Sequence, residues 1–361
     1  MTADLSLLDA LSGNRQILVR GGPGSGKTWL AERLARQFAD NGKHVLFLCY
    51  NKALGAGFRR DMPRMTSKNP EAGIVDVHTW ESLAESLTKT LPEGSIPAKH
   101  DGKEDVYYEE TLPSAMLEAV TQGSFASRYD ALVVDEAQDH NTEWWEIYFA
   151  LLRAGAGSRM GIFYDPAQRP SFRAGAFAIG GVAQPLSQAA HFRLLRTRRY
   201  TRPVFDFLRS LASDETAALV DGLHPGALLI GPEVILQEHP SLDAAKSAAA
   251  AMLKKWFADK LAEPADTLLL TRTNPFGGKS PIFTNCETFA GLTLVAADAP
   301  HALDKGNLRV ASFHKSKGLD ARAVILLDTW PWNDLPPGQR EGFWTAASRA
   351  RQLLGVIATK K

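Results

Sequence analysis

Short unbroken apolar runs alternate along the chain with longer segments in which apolar residues recur every three or four positions. The runs include QILVR, HVLFLCY, ALVVDE and MGIFYD in the first half, then TLLLTR, RVASF and AVILLD in the second. An apolar run without alternation suits a strand covered on both faces, and the intervening segments, such as WLAERLARQFADNG, have helical periodicity. The pattern predicts an α/β fold of parallel sheets covered by helices. Gly42 stands where the first of these helices should stop. The segment SLDAAKSAAAAMLKKWFADKLAEP predicts a helix with Ser241 as its N-cap and Pro264 beyond its end. Two loop-rich stretches, DMPRMTSKNPEAG and TLPEGSIPAKHDGKEDVYY, interrupt the first half, and there is no internal repeat.

A chain of 361 residues exceeds the size at which a single core keeps growing, so two domains are expected. Hydrophobic residues at 45% and charged residues at 22% are ordinary for a globular protein. No apolar run approaches the roughly 18 residues of a membrane span. The first residues, MTADLSLLDALSG, carry acid where a signal peptide carries base, so a cytoplasmic protein without a membrane partner is expected. Cys49 and Cys286 are the two cysteines, and none of the nine histidines has HExxH spacing, which excludes a disulfide framework and the common zinc motifs. With 41 basic and 40 acidic residues the net charge is +1, so affinity for nucleic acid has to come from local clustering.

Candidate chemistry begins at GGPGSGKT, residues Gly21, Gly22, Gly24, Ser25, Gly26, Lys27 and Thr28 with Pro23 among them. This is the GxxxxGK[ST] pattern, flanked by a predicted strand and a predicted helix. Its glycines let backbone N–H groups turn toward phosphates, Lys27 meets the outer phosphates, and the Thr28 hydroxyl suits Mg²⁺. Its partner is the strand end YDALVVDEAQD. Asp135 offers a carboxylate to Mg²⁺, and Glu136 can orient and deprotonate the attacking water. Strands also end in solvated acids for no chemical reason, so this pair gains its meaning from the loop. ATP and Mg²⁺ are the expected cofactors, with hydrolysis favoured by Glu136.

Taken with FYDPAQ, VASFHKSKGLDARAVIL and FWTAASRARQLL, these motifs resemble the UvrD/Rep family of superfamily 1 helicases, in the compact form found joined to nuclease-related domains. The resemblance runs from Gly21 to about Arg351 in the family's motif order. It implies two RecA-like domains, residues 1–191 with a small insertion near 85–125 and residues 192–361, with the ATP site in the cleft between them. It further implies that Gln168 senses the γ-phosphate. Arg199, in LLRTRRYTRPV, and Arg349, in TAASRAR, correspond to the family's two arginines that reach that phosphate. Gly318 and Asp320, in HKSKGLD, fall near the ribose and phosphates. Taken alone, Arg199 reads as one of a basic cluster and Arg349 as surface charge on a helix.

The resemblance extends to a single-strand track. Tyr50, Asn51 and Lys52 in FLCYNKALGAGFR, and His78, Thr79 and Trp80 in VDVHTWESLA, match the family's strand-binding segments, with His314 and Lys317 on the second domain. Trp80 reads equally well as buried core, and His314 as a structural hydrogen-bonder. The chain departs from the family pattern in four places. Ser171 and Arg173 flank Phe172 where the family places its stacking aromatics. Arg198 stands where the adenine-sandwiching tyrosine belongs, with Tyr200 on the far side of Arg199. Gln16 lies too near the loop to be the family's glutamine motif. The stretches from Trp80 to Tyr129 and from Arg199 to Val310 are too short for full accessory domains. The implied function is an ATP-driven motor on single-stranded nucleic acid, DNA being the expected form. The alternative is an ATP-operated switch or regulatory subunit for a partner such as a nuclease.

Overall fold

A computed structural model describes residues 2–49, 73–89, 91–92, 106–122, 128–165, 186–197, 199–225, 228–277, 282–283, 288–299 and 301–359. Packing divides the chain into two units. One is Met1–Gly22 with Gly26–Leu194, and the other is Leu195–Lys361 with Pro23–Ser25.

The first unit is built on six parallel strands: β1 (Gln16–Gly21), β2 (Val45–Leu48), β3 (Val75–His78), β4 (Ala131–Val134), β5 (Arg159–Tyr164) and β6 (Ala190–Leu194), in the order β3-β2-β4-β5-β1-β6. Because side chains alternate across a strand, each apolar run feeds two cores. Ile17, Val19, Val45, Phe47, Val133 and Phe163 face helices α1 (Thr2–Gly13) and α2 (Lys27–Asp40). Leu18, Leu46, Leu48, Leu132, Val134 and Ile162 face the other way, toward α3 (Trp80–Thr88), α4 (Leu112–Gln122) and α5 (Trp144–Ala150). The helix α2 lies close to the sheet at Gly161 of β5, where an added Cβ would stand 2.4 Å from Leu34 Cδ2. Helix α2 ends where Gly42 takes φ 75°, as its sequence predicts.

The second unit carries seven strands: β7 (Ile235–His239), β8 (Thr267–Thr271), β9 (Thr288–Phe289), β10 (Leu292–Ala296), β11 (Asn307–Ser312), β12 (Ala321–Thr329) and β13 (Ala350–Thr359). Their order is β7-β13-β12-β8-β11-β10-β9, parallel except for the β9–β10 pair. Helices are α6 (Arg202–Ser210), α7 (Ala217–Asp221), α8 (Leu242–Ala258) and α9 (Arg340–Ala347). Ser241 caps α8 by accepting from the Ala244 amide. The α8 residues Ala245, Ala249, Leu253 and Trp256 pack on Leu269, Val310, Ile325 and Ile357. Trp344 of α9 is fully buried, and its indole N–H donates to the Leu208 carbonyl of α6. Both units are α/β folds covered by helices, with a parallel sheet in the first and a mixed sheet in the second.

In the first unit the Trp80 ring stacks on Trp144 at 3.7 Å between centroids and 4° between planes, and both rings are buried. This stack joins α3 to α5 under the sheet. Trp144→Ala is expected to lower unfolding free energy by about 3–5 kcal/mol, with Trp144→Phe costing markedly less; chemical denaturation monitored by fluorescence checks both.

Candidate nucleotide-binding site

The strand order places three strand ends side by side. β5 lies between β1, which runs into the phosphate loop, and β4, which ends at Asp135. Loop, Asp165 and acid pair are therefore neighbours through the sheet, as ligand sites at the carboxyl ends of parallel strands commonly are.

The loop turns on two glycines in the left-handed region, Gly24 at φ 69° and Gly26 at φ 95°, the latter being the N-cap of α2. A side chain at either would strain the backbone. The N-terminal amides of α2 thus follow directly on the loop, a favourable place for anions. Lys27 is 5% exposed, and its ammonium donates to the Gly21 carbonyl at 2.8 Å and the Gly22 carbonyl at 3.3 Å. It also lies 4.0 Å from the Asp165 carboxylate.

Asp135 has no solvent exposure, and neither carboxylate oxygen has a hydrogen-bond partner of good geometry. Burial, and then the charge of Glu136, push its pKa up to about 7; the nearby Thr28 hydroxyl, the Lys27 charge and the Glu136 backbone offset part of that rise. A buried carboxylate with unused acceptors costs free energy unless a cation meets it. Asp135 and the Thr28 hydroxyl, both oxygen donors, therefore fit a hard divalent cation such as Mg²⁺. Next to it Glu136 is held at φ 52°, ψ 44°, a left-handed conformation unusual for a residue with a side chain.

Two residues that motif reading passed over complete this corner. Gln138 is 1% exposed. Its Oε1 accepts from the Asp165 amide at 2.9 Å, and its Nε2 donates to Glu136 Oε2 at 2.5 Å. Asp165 ends MGIFYD as Asp135 ends its own apolar run, a sequence signal that could have marked it.

In the second unit Arg199, Asp320 and Arg349 gather around Tyr200. Arg199 pairs with Asp320 at 3.6 Å. The Tyr200 hydroxyl donates to the Ser348 carbonyl. Burial raises its pKa, and the charges of Arg199 and Arg349 act against that rise. Arg349 is not on a helix, contrary to the bare sequence reading. Helix α9 ends at Ala347, and Arg349 lies in the turn leading into β13. Nor is it surface charge: it is 4% exposed, donating to the Thr345 carbonyl, the Ser348 hydroxyl and the Leu319 carbonyl. Asp320 directly precedes β12, and the Ala321 amide donates to the Arg349 carbonyl, which ties the two turns together. Gly318 has φ 76°.

Of the strand-track residues, His78 ends β3 and Thr79 caps α3, accepting from the Ser82 amide. Trp80 lies in the core on Trp144, so its indole face is committed to packing. His314 is exposed in the turn after β11, and Lys317 is half-buried near Glu341. Tyr50, Asn51, Lys52, Gln168 and Phe172 lie outside the described residues, as do Ser171, Arg173, Arg198 and most of the two loop-rich stretches.

Residues 3–150 match a protein-family model described as Type III restriction enzyme, res subunit. No curated protein matches the chain. Among solved structures, the C-terminal domain of a possible DNA helicase from Lactobacillus plantarum WCFS1 is 16% identical, over 45% of this chain and 88% of that one, with a TM-score of 0.32. Arterivirus nonstructural protein 10, a helicase, is 14% identical over 97% of this chain, which spans 61% of the viral protein's length, with a TM-score of 0.43. Both overlays are loose and bear on neither activity nor ligand. The family match covers the phosphate loop and the Asp135–Glu136 strand end, so the part of the chain that resembles this family is the part that carries the candidate nucleotide site.

Proposed function

We propose that the chain is an ATP-driven motor on single-stranded nucleic acid, DNA in the first instance, of the UvrD/Rep type. The observation that carries this reading is the buried Asp135 carboxylate, without a hydrogen-bond partner of good geometry, beside Thr28 and Lys27, with Glu136 fixed next to it. In this reading Lys27 exchanges its loop carbonyls for the outer phosphates, and Asp135 with Thr28 holds Mg²⁺. The metal supplies neutralisation of charge on the phosphate oxygens. Glu136 orients and deprotonates the attacking water. Arg199 and Arg349 are the cations proposed to meet the γ-phosphate. Their grouping with Asp320 around one tyrosine supports a shared role. Gln168 is proposed as the γ-phosphate sensor. The strand track is proposed to run over Tyr50, Asn51, Lys52, His78, Thr79, Phe172, His314 and Lys317.

Burial of Trp80 removes one stacking face from that track, and this favours a second reading. There the chain is an ATP-operated switch whose nucleotide state is signalled to a protein partner such as a nuclease. Directional movement along a strand separates the first reading from the second.

Three outcomes are expected. Lys27→Ala abolishes productive nucleotide binding, while Glu136→Gln binds ATP and releases almost no phosphate; rapid filtration with labelled ATP reads both, and full turnover by Glu136→Gln removes the proposed base. Affinity for single strands falls steeply with salt, as phosphate contacts require; fluorescence anisotropy at rising ionic strength that shows a flat response contradicts the track. The third concerns pH. An acid whose folded pKa is raised adds stability at pH below its unfolded value, near 3.8, and loses it as pH climbs through about 7. Metal-free protein therefore loses stability over that window. Asp135→Asn removes the loss, melting roughly 5 °C or more above the parent at pH 8 and close to it at pH 4. Thermal melts in chelator check it, and parallel curves refute the burial account.

A further inference from the structure

Gln138 belongs to the acidic motif yet has none of the roles given above. It is almost fully buried and bonded at both ends of its amide, to the Asp165 backbone and to the Glu136 carboxylate. Chemistry fixes which way the amide points. A backbone N–H can only donate, so the amide oxygen faces Asp165 and the NH₂ group faces Glu136. The bond to Glu136 is charge-assisted, hence short and strong. It acts on a side chain whose own backbone is left-handed, at φ 52° and ψ 44°, a conformation that persists only when its surroundings hold it.

A free glutamate carries three rotatable side-chain bonds, while in-line attack on a phosphate needs a water placed to within a fraction of an ångström. The Gln138 bridge removes that freedom. It fastens the carboxylate to the end of β5, the strand next to the phosphate-loop strand β1. At the same strand end the Asp165 carboxylate lies 4.0 Å from Lys27. A chain of contacts results: Lys27 to the Asp165 carboxylate, the Asp165 amide to Gln138, and Gln138 to Glu136. The continuation of β5 in sequence carries Gln168.

We propose that Gln138 is a positioning residue for hydrolysis, clamping the Glu136 carboxylate to the end of β5 so that the attacking water is held in line. This rests on the reading of Glu136 as the group that orients the water. The role differs from packing, because it acts through one partner and on one step.

The test uses the full chain with Gln138→Met, which keeps length and loses both bonds, and Gln138→Glu, which keeps the acceptor for the Asp165 amide and loses the donor. Each is measured for ATP affinity with a fluorescent analogue and for turnover by phosphate release, alone and combined with Glu136→Gln. Turnover is expected to fall about 10- to 100-fold in both single variants, with ATP affinity within about twofold of the parent. The double variants are expected to keep the residual turnover of Glu136→Gln alone, since placing the carboxylate gains nothing once the base itself is removed. Parental turnover in Gln138→Glu overturns the proposal. So do losses that multiply in the double variants, which mark a structural role independent of Glu136. Should Glu136→Gln alone turn over at the parental rate, the reading of Glu136 falls and the clamp falls with it.

Discussion

A carboxylate with no exposure and no hydrogen-bond partner of good geometry is the constraint around which this corner of the first unit is arranged. Burying Asp135 at the end of β4 raises its pKa and costs stability at neutral pH. Lys27 and Thr28 stand near enough to soften the cost, and the proposed divalent cation would remove the rest. Lys27 opens α2 directly after its left-handed N-cap Gly26, and the helix packs closely on β5 at Gly161. Sheet order then places Asp165 between the loop and the acids. Stability is thus held below its optimum at one corner, where charge is to be bound, as is common at functional sites.

The second unit shows a related economy. Tyr200 is a buried residue, and its ring and hydroxyl draw Arg199, Asp320 and Arg349 into one region through the turns before β12 and β13. Arg349 is anchored by the Thr345 carbonyl of α9 and the Leu319 carbonyl of the turn before β12. An arginine so held is pre-organised, and loses little side-chain entropy when an anion meets it. The sequence departure at Arg198 and Tyr200 therefore has a structural counterpart: the tyrosine beside the motif arginine serves the interior of its unit.

Much of the fold was legible because parallel strands buried on both faces cannot hide. β1, β2, β4, β5, β8, β11 and β12 all coincide with unbroken apolar runs. The strands that escaped are of another kind. β3, with Asp76 and His78 among its four residues, is an edge strand, and β6 alternates exposed and half-buried positions at the opposite edge. Neither needs an apolar run. β13 begins in the polar ARQ, so the segment around Arg349 read as helix when the helix had already ended. At the site, Lys27, Thr28, Asp135 and Glu136 were legible because phosphate chemistry fixes both residue type and spacing. Gln138 was not, since its importance arises from a side-chain bridge to a strand end distant in sequence, while Asp165 carried only the strand-end signal it shares with Asp135. Trp80 could be read either as stacking platform or as core, and only the partner ring of Trp144 shows that it is packed.

The central claim is that the loop and the acid pair hydrolyse ATP under the control of a bound single strand. Steady-state phosphate release by the full chain, with and without Mg²⁺ and with and without short single-stranded DNA or RNA, tests it most directly. Slow release that requires Mg²⁺ and rises at least severalfold when a strand is added, DNA giving the larger response, is the expected result. Release that is absent under every condition, or that proceeds equally well in chelator, would contradict it.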